Sequence, residues 1–285
     1  MTKEELEHVL NETVIEIKSI AGGDIAFAQK VKTLSHTLFV KSGRFPNAQT
    51  LFKCEVEGLK AIKKTGAIDV PKIRGTYSID STSCLIMEFV ASKSPDQNDY
   101  RQFGQKLAQL HSVQISEIFG FEKNNFIGKL PQNNAHQEDW ATFYITNRLQ
   151  PQLKMALENG MMQTAQIPSQ EKMMTTCKEL IGEVVPSLLH GDLWSGNYVI
   201  AADGTPFLID PSVYYGHNEV DLAMTRLFGG FSSDFYAAYH EIIPPHENQA
   251  PLMDIYQLYY VLVHLNLFGS SYIGTVLRIL KKYFY

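Results

Sequence analysis

The chain has 285 residues, of which 45% are hydrophobic and 19% charged, and its 25 Lys and Arg against 30 Asp and Glu give a formal net charge of −5. This apolar fraction excludes an intrinsically disordered chain, and the mild acidity argues against a partner that is nucleic acid. The three cysteines, Cys54, Cys84 and Cys177, are widely separated and fit neither a disulfide framework nor a zinc site.

Residues 1–20 predict an amphipathic helix rather than a targeting segment. Thr2 and Glu5 fit a capping box, and Leu6 and Ile17 belong to an apolar stripe with helical spacing. A secretory peptide would need a continuous apolar core instead. The most apolar later stretch, 259–268, is too short to span a bilayer. We therefore expect a cytoplasmic protein with no membrane partner.

Up to residue 90 the pattern predicts a hairpin, a helix and a second hairpin. The strands are expected over 25–32, 37–41, 72–79 and 84–90, and the helix over 47–64. Residues 91–99 are rich in Ser, Pro, Asp, Gln and Asn, which is typical of a linker.

From residue 100 the pattern turns mostly helical. Helices are expected over 100–112, 138–159, 170–182, 218–228, 231–242 and 252–267, with a kink at Pro151 and core packing by the aromatic residues of the last helix. A short hairpin is expected at 198–200 and 207–209, around Asp203 and Gly204. Together these elements predict an α+β chain with two lobes. A small lobe with an antiparallel sheet and a helix (1–90) is joined by a hinge (91–99) to a larger, mostly helical lobe (100–285).

The strongest chemical signal is the run HGDLWSGN at residues 190–197. It offers Asp192 and Asn197, and Asp210 ends the hairpin that follows. Carboxylate and amide oxygens are hard ligands that suit Mg²⁺. The spacing matches the phosphotransfer arrangement of kinases, in which the first Asp accepts the hydroxyl proton and the other two residues hold metal. The alternative is an ordinary turn rich in Asp and Asn.

A second signal joins Lys41, which ends a predicted strand, to Glu55 on the apolar stripe of the next helix. A carboxylate that faces a core is costly unless a cation meets it, and Lys41 is a candidate partner. In kinases such a pair holds the nucleotide phosphates. The alternative is that Glu55 lies at the edge of the stripe and that both side chains reach solvent.

Three weaker signals accompany these two. Gly22 and Gly23 precede a predicted strand pair and could let backbone N–H groups approach phosphate, although a plain turn is the commoner meaning. The segment from Glu88 through Phe89 and Val90 leaves the small lobe where an adenine edge would lie, or is simply a buried strand. Asp221, near a helix start, either complements the helix dipole or accepts hydrogen bonds from the catalytic loop.

The pattern resembles the fructosamine kinase (ketosamine-3-kinase) family of the protein-kinase-like fold. The specific part is the run at 190–197, because related small-molecule kinases share its His-Gly-Asp and Asn but usually lack Trp-Ser-Gly between them. Other matching segments run through nearly the whole chain, at 22–23, 39–41, 51–55, 70–71, 87–88, 120–121, 139–140, 148–149, 210–211, 215–217 and 228–231.

The resemblance implies an ATP- and Mg²⁺-dependent kinase that phosphorylates a sugar hydroxyl of a ketosamine, free or protein-bound. Such a product can eliminate its phosphate and release the amine, which would make the reaction deglycating. By this resemblance, Asp192 would be the proton acceptor, and Asn197 and Asp210 would be the metal ligands. ATP would be contacted by Lys41 with Glu55, by Gly22 and Gly23, and by the hinge residues 88–90. Trp194 and His217 would contact the substrate, and His190 and Asp221 would support the loop.

Two alternatives to this function stay open. One is another small-molecule kinase of the same fold, acting on aminoglycosides or choline, which an acidic pocket would favour. The other is a catalytically inactive, nucleotide-binding partner protein, which should have lost at least one of Lys41, Asp192, Asn197 and Asp210; all four are present. We expect a monomer or a weak dimer.

Overall fold

A computed structural model describes residues 1–20 and 26–285. Its N-terminal part is a five-stranded antiparallel sheet in the order β1-β2-β3-β5-β4. The strands are β1 (Val14–Ile20), β2 (Phe27–Thr33), β3 (Thr37–Gly43), β4 (Ile73–Ile79) and β5 (Thr82–Glu88). A short helix, α1 (Lys3–Leu10), precedes the sheet, and α2 (Ala48–Thr65) crosses between β3 and β4. The predicted hairpin–helix–hairpin order is confirmed for the described residues.

The single helix predicted over residues 1–20 is wrong beyond Leu10. The capping box is present, since Thr2 accepts from the Glu5 amide and Glu5 from the Thr2 amide. The helix ends at Asn11, which is left-handed with φ 51°. The segment that follows is rich in β-branched residues and pairs along β2, so cross-strand packing outweighs the helical spacing of its apolar residues.

The helix α2 fits its prediction within a residue at each end. Gly66 closes it in the left-handed conformation, with φ 69°. Its buried stripe contains Phe52, Leu59, Ile62 and the carboxylate of Glu55, and the helix packs against β5 and β4. The helix therefore brings an acid to the inner face of the sheet.

The rest of the chain is mostly helical. The helices are α3 (Gln97–Ser112), α4 (Trp140–Tyr144), α5 (Gln150–Glu158), α6 (Gln170–Ile181), α7 (Glu219–Leu227), α8 (Ser233–His240), α9 (Gln249–Phe268) and α10 (Ile273–Phe284). Three two-stranded ribbons lie among them: β6 (Asn125–Ile127) with β7 (Leu130–Gln132), β8 (Ser187–Leu189) with β11 (Tyr214–Gly216), and β9 (Tyr198–Ile200) with β10 (Pro206–Leu208).

The predicted kink at Pro151 takes the form of a π-helical turn at Ile145–Leu149, between α4 and α5. Pro151 lacks an N–H group, so it fits the first turn of α5, and the wider turn before it absorbs the break. The helix α10 was not predicted, although Val276, Leu280 and Phe284 follow helical spacing and pack under α9.

The segment predicted as a linker is held in place. Asp96 caps α3 through the Asn98 and Asp99 amides, so the helix begins three residues earlier than predicted. The Lys93 amide donates to Ile200 in β9, and the Ala202 amide donates to Ala91. One buried apolar cluster contains side chains of α2, β5, α3 and α8, so the core continues across residues 91–99. None of the described helices is both long and apolar enough to cross a membrane.

Candidate active site

A cleft of about 1140 Å³ lies between the sheet and the helical part. On one side it is lined by β2, β3, α2 and the segment 87–90, and on the other by the run 192–197, the segment 209–212 and parts of α7 and α9. Asp192, Asn197, Asp210, Lys41 and Glu55 all line it. The two strongest signals in the sequence therefore meet in one cavity.

Backbone hydrogen bonds bring the run 190–197 against the segment that holds Asp210. The Ser212 amide donates to His190, and the Ile209 amide donates to Asn197. Gly191 has φ 82°, and a Cβ there would lie 2.2 Å from the Ser212 carbonyl oxygen, so only glycine allows the two segments to approach. Two loops separated along the chain are thereby joined at the base of the cleft.

Asp221 at the start of α7 anchors this loop from below. Its carboxylate accepts from the amides of His190 (2.7 Å) and Gly191 (2.9 Å), and it lies 3.1 Å from His111 Nε2. Burial opposes its ionisation, but these donors together hold the pKa of Asp221 below its ordinary value. The predicted contact of Asp221 with the catalytic-loop backbone is present.

His190 supports the loop from inside. It is fully buried, and its Nε2 lies 2.8 Å from the Ile209 carbonyl oxygen, while its Nδ1 accepts from the Asp192 amide at 3.2 Å. Burial lowers the pKa of His190, so the ring is neutral, as one donor and one acceptor nitrogen require. The ring therefore ties Asp192 to the segment that leads to Asp210.

The side chains of Asp192 and Asn197 lie together at the cleft floor. The Asn197 amide nitrogen donates to the Asp192 carbonyl oxygen at 2.8 Å and reaches the Asp192 carboxylate at 3.3 Å. Burial, reinforced by the nearby charge of Asp221, raises the pKa of Asp192 to about 7. Because the nitrogen of Asn197 faces Asp192, its amide oxygen is left for another ligand.

Lys41 pairs with Glu55 as predicted. Lys41 Nζ lies 2.8 Å from Glu55 Oε2, and it also contacts Asp210 Oδ1. Glu55 is 5% exposed, so the alternative in which it reaches solvent is excluded. A buried carboxylate is tolerated here because the ammonium group meets it.

The donor set fits a divalent cation that also binds phosphate. Asp210 is a cleft-facing carboxylate, and it takes the left-handed backbone conformation, with φ 56°, that turns the chain at this point. Asn197 lines the same cleft and carries an amide oxygen that could bind a metal ion. Within residues 1–20 and 26–285 no cluster of three His, Cys, Asp or Glu could hold a metal on its own. Mg²⁺ sites commonly use one or two protein oxygens and complete their shell with phosphates and water.

The predicted hinge lines the opposite wall of the cleft. The backbone amides of Glu88 and Phe89 donate to the carbonyl oxygens of Lys72 and Thr37, so neither amide is available to a ligand. The Glu88 carboxylate turns to Arg74 at 2.9 Å. Of the three hinge residues, only Val90 makes no amide hydrogen bond to the described part of the chain.

The two residues predicted to contact substrate lie in different places. Trp194 lines the cleft and is 37% exposed; its ring lies over Gly196, where a Cβ would come within 2.4 Å of it. His217 is 4% exposed, does not line the cleft, and lies 2.8 Å from the Tyr256 hydroxyl. Burial, followed by the charges of His246 and His111, lowers the pKa of His217 to about 3. Gly22 and Gly23 lie outside the described residues.

Sequence reasoning missed two residues of the site. His111 at the end of α3 bridges Asp221 and the Tyr239 hydroxyl, at 3.1 and 2.8 Å. Tyr260 of α9 lines the cleft, and its hydroxyl donates to the Gly191 carbonyl oxygen at 2.9 Å. His111 falls on the stripe of Leu107 and Leu110, and such a polar residue on a buried face was the available signal.

Comparison with known proteins identifies relatives over the full chain. A sequence model described as fructosamine kinase matches residues 1–285. The chain is 38% identical over 273 residues to a probable ketoamine kinase of Enterococcus faecium, with 93% of this chain and 94% of the relative covered. It is 35% identical over 289 residues to the ketosamine-3-kinase of Mus musculus, with 92% of each chain covered.

Solved structures share the architecture. A Haemophilus somnus protein, provisionally named a fructosamine-3-kinase, superposes with a TM-score of 0.87 at 26% identity, covering 98% of this chain and 95% of that one. A thermostable mutant of the aminoglycoside phosphotransferase APH(4)-Ia superposes with a TM-score of 0.66 at 14% identity, covering 99% of each chain. The second likeness concerns the fold alone, which is that of the kinase-like phosphotransferases.

Proposed function

The chain belongs to the fructosamine kinase family over residues 1–285, and from this premise we propose that it transfers the γ-phosphoryl group of ATP to a sugar hydroxyl of a ketosamine. The observation that carries the proposal is the meeting of Asp192, Asn197 and Asp210 with the Lys41–Glu55 pair in one cleft. Kinases use residues of these types to orient the acceptor hydroxyl, hold the metal ion and bind the phosphates, and this supports the proposal.

Asp192 is the proposed proton acceptor. Its carboxylate lies at the cleft floor, on a loop fixed by Asp221 and His190. Because Asp221 and His190 fix this loop, the acceptor hydroxyl can be aligned with the phosphoryl group with little reorganisation of the protein. The main contribution of the chain is therefore positioning of the hydroxyl and removal of its proton.

Asn197 and Asp210 are the proposed ligands of Mg²⁺, which would neutralise charge on the transferred phosphoryl group. Lys41, which contacts Asp210 and Glu55, would exchange its contact with Asp210 for the nucleotide phosphates. Glu55 would keep Lys41 in place during that exchange. Gly22 and Gly23 remain candidates for backbone contacts to phosphate.

Adenine binding is proposed at residues 88–90. Since the sheet consumes the amides of Glu88 and Phe89, the Val90 amide and backbone carbonyl oxygens are the groups that would recognise the base. Trp194 on the cleft wall is the proposed substrate contact. His217 is buried against Tyr256 and does not line the cleft, so we assign it no contact with substrate.

Kinases of other small molecules are less well supported. An aminoglycoside carries several ammonium groups and calls for an acidic pocket, but the carboxylates that line this cleft are engaged with Lys41 and Arg74 or lie at the transfer point. An inactive protein is disfavoured because Lys41, Asp192, Asn197 and Asp210 are present and converge. We also propose that the chain has two lobes divided at 91–99 and that it is a monomer or a weak dimer. A cytoplasmic location is proposed as well, and the three free thiols are in keeping with it.

A substrate panel tests the proposal. The purified protein is incubated with ATP, Mg²⁺ and lysine adducts of ribulose, erythrulose or fructose, with aminoglycosides and choline as comparison substrates. We expect one or more ketosamines to gain a phosphate, read as a mass increase and by phosphorus NMR. Phosphorylation of aminoglycosides or choline without any ketosamine would overturn the proposal.

A further inference from the structure

One part of the cleft lining consists of aromatic side chains from the end of α7, from α9 and from the turn after it. Phe228 from the end of α7, with His264 and Phe268 from α9 and Tyr272 just beyond it, shares the cavity with Asp192. We call these four side chains the aromatic wall. Phe228 is 46% and Phe268 50% exposed. Large apolar side chains left open on one cavity surface are typical of a ligand contact.

The aromatic wall is held together by contacts among its own rings. The His264 ring lies at its centre, with centroid distances of 4.8 Å to Phe228 and 5.3 Å to both Phe268 and Tyr272. His264 Nδ1 lies 2.8 Å from the Tyr260 carbonyl oxygen, which orients the ring. Gly269 ends α9 with φ 97°, and the following turn returns Tyr272 to the ring cluster.

The aromatic wall contains no carboxylate group. The carboxylates that line the cleft are Glu55, Glu88, Asp192 and Asp210, and the residues of the described cavity between positions 224 and 272 include none. A polycation would find no countercharge at the aromatic wall. A hydrocarbon chain attached to one ammonium group would find apolar surface, and aromatic faces attract such a cation.

We propose that the aromatic wall holds the hydrocarbon arm of the amine that carries the sugar. This inference rests on the proposed function: with the sugar hydroxyl at Asp192, the arm continues along the cavity toward Phe228 and Phe268. The favoured substrate is then a ketosamine on a long alkyl arm, such as the four methylene groups of a lysine side chain. Short amines would leave the wall in contact with water.

The test compares one ketose attached to methylamine with the same ketose attached to butylamine. We expect kcat/KM of the wild-type protein to be about tenfold higher for the butylamine adduct, because three further methylene groups are partly buried. In Phe228→Ala and Phe268→Ala the preference should fall to about threefold or less. Both side chains are half-exposed, and thermal unfolding verifies that the variants fold.

Ile242→Ala is the matched control, since Ile242 is 41% exposed and does not line the cleft, and it should keep the wild-type preference. Equal kcat/KM for the two adducts in the wild type, or an unchanged preference in both Phe variants, would overturn the inference and leave the proposed function standing. Failure of the wild type to phosphorylate either adduct, or any ketosamine of the substrate panel, would overturn both.

Discussion

Glu55 shows how one residue links folding to function. It occupies the buried stripe of α2, where three of its neighbours are apolar, and its Oε2 meets Lys41 at 2.8 Å. Its other oxygen, Oε1, is buried without a hydrogen-bond partner in the described structure. An apolar residue at this position would stabilise the helix more than a buried acid does, so we propose that Glu55 serves to position Lys41.

Replacement of Lys41 should therefore reduce both activity and stability. In Lys41→Met we expect turnover to fall at least about 100-fold, because the phosphates lose their ammonium partner. Unfolding in urea should show a loss of about 3 kcal/mol, because Glu55 stays buried without its cation. The double variant Lys41→Met, Glu55→Gln should recover most of that stability but none of the turnover.

Lys63→Met provides the control for this pair. Lys63 also forms an ion pair, 2.7 Å from Asp69, but its side chain is 60% exposed. Solvent screens such a pair, and we expect less than about 1 kcal/mol of change in stability. If Lys41→Met were as stable and as active as Lys63→Met, the role assigned to the Lys41–Glu55 pair would be contradicted.

At the scale of elements, the loop 190–197 that carries the proposed catalytic residues is held by helices from distant parts of the chain. The start of α7 supplies Asp221, the end of α3 supplies His111, and α9 supplies the Tyr260 hydroxyl. The sequence indicated the loop itself and Asp221, because their residue types are unusual at those positions. His111 and Tyr260 look like ordinary helix residues, and only the packing of their helices reveals the contacts.

The anchor at α7 gives the second prediction. In Asp221→Asn one oxygen replaces two, and an NH₂ group would face the backbone amide of His190 or Gly191. We expect a loss of about 3 kcal/mol in the free energy of unfolding and a lower kcat. KM for ATP should change little, since Asp221 does not line the cleft.

Asp234→Asn serves as the comparison for this anchor. Asp234 also lies at a helix start, but its carboxylate accepts from Gln97 at the surface, so a change within about 0.5 kcal/mol is expected. A kcat for Asp221→Asn equal to that of Asp234→Asn would show that the loop does not depend on its anchor.

For the whole molecule, the sequence predicts the architecture and most element ends, because the apolar periodicity of strands and helices survives in the structure. It fails at β1, where Asn11 ends the helix and pairing with β2 selects a strand. It fails again at the aromatic residues of α9, which were expected in the core. Tyr256 is buried there, but Phe268 reaches the cleft, since periodicity identifies an apolar face without saying what covers it.

Buried His217 should make a destabilising contribution to the folded chain in mild acid. The pKa of buried His217 is about 3 in the folded state against 6.5 for a free side chain. Below pH 6.5 His217 therefore binds a proton in the unfolded chain but not in the folded one. Its contribution to the free energy of unfolding decreases as pH falls. From His217 alone we expect a loss of about 2 kcal/mol at pH 5.

Urea unfolding of the wild type and His217→Gln at pH 7.5, 6.5 and 5 measures this effect. Gln carries no titrating group and can still meet the Tyr256 hydroxyl, so the difference between the two proteins isolates His217 from other titrating groups, Asp192 among them. The stability gap between wild type and variant should change by about 2 kcal/mol between pH 7.5 and 5. A gap that is constant with pH would show that His217 is not held neutral by the fold.

The most direct test of the proposed mechanism is phosphoryl transfer to a ketosamine, measured side by side for the wild type and Asp192→Asn with ATP and Mg²⁺. We predict that the wild type transfers the γ-phosphate to the sugar. The variant should bind ATP and unfold like the wild type, but transfer about 1000-fold more slowly, because the hydroxyl keeps its proton. Transfer by Asp192→Asn at the wild-type rate would contradict the assignment of the catalytic base and, with it, the mechanism built on this cleft.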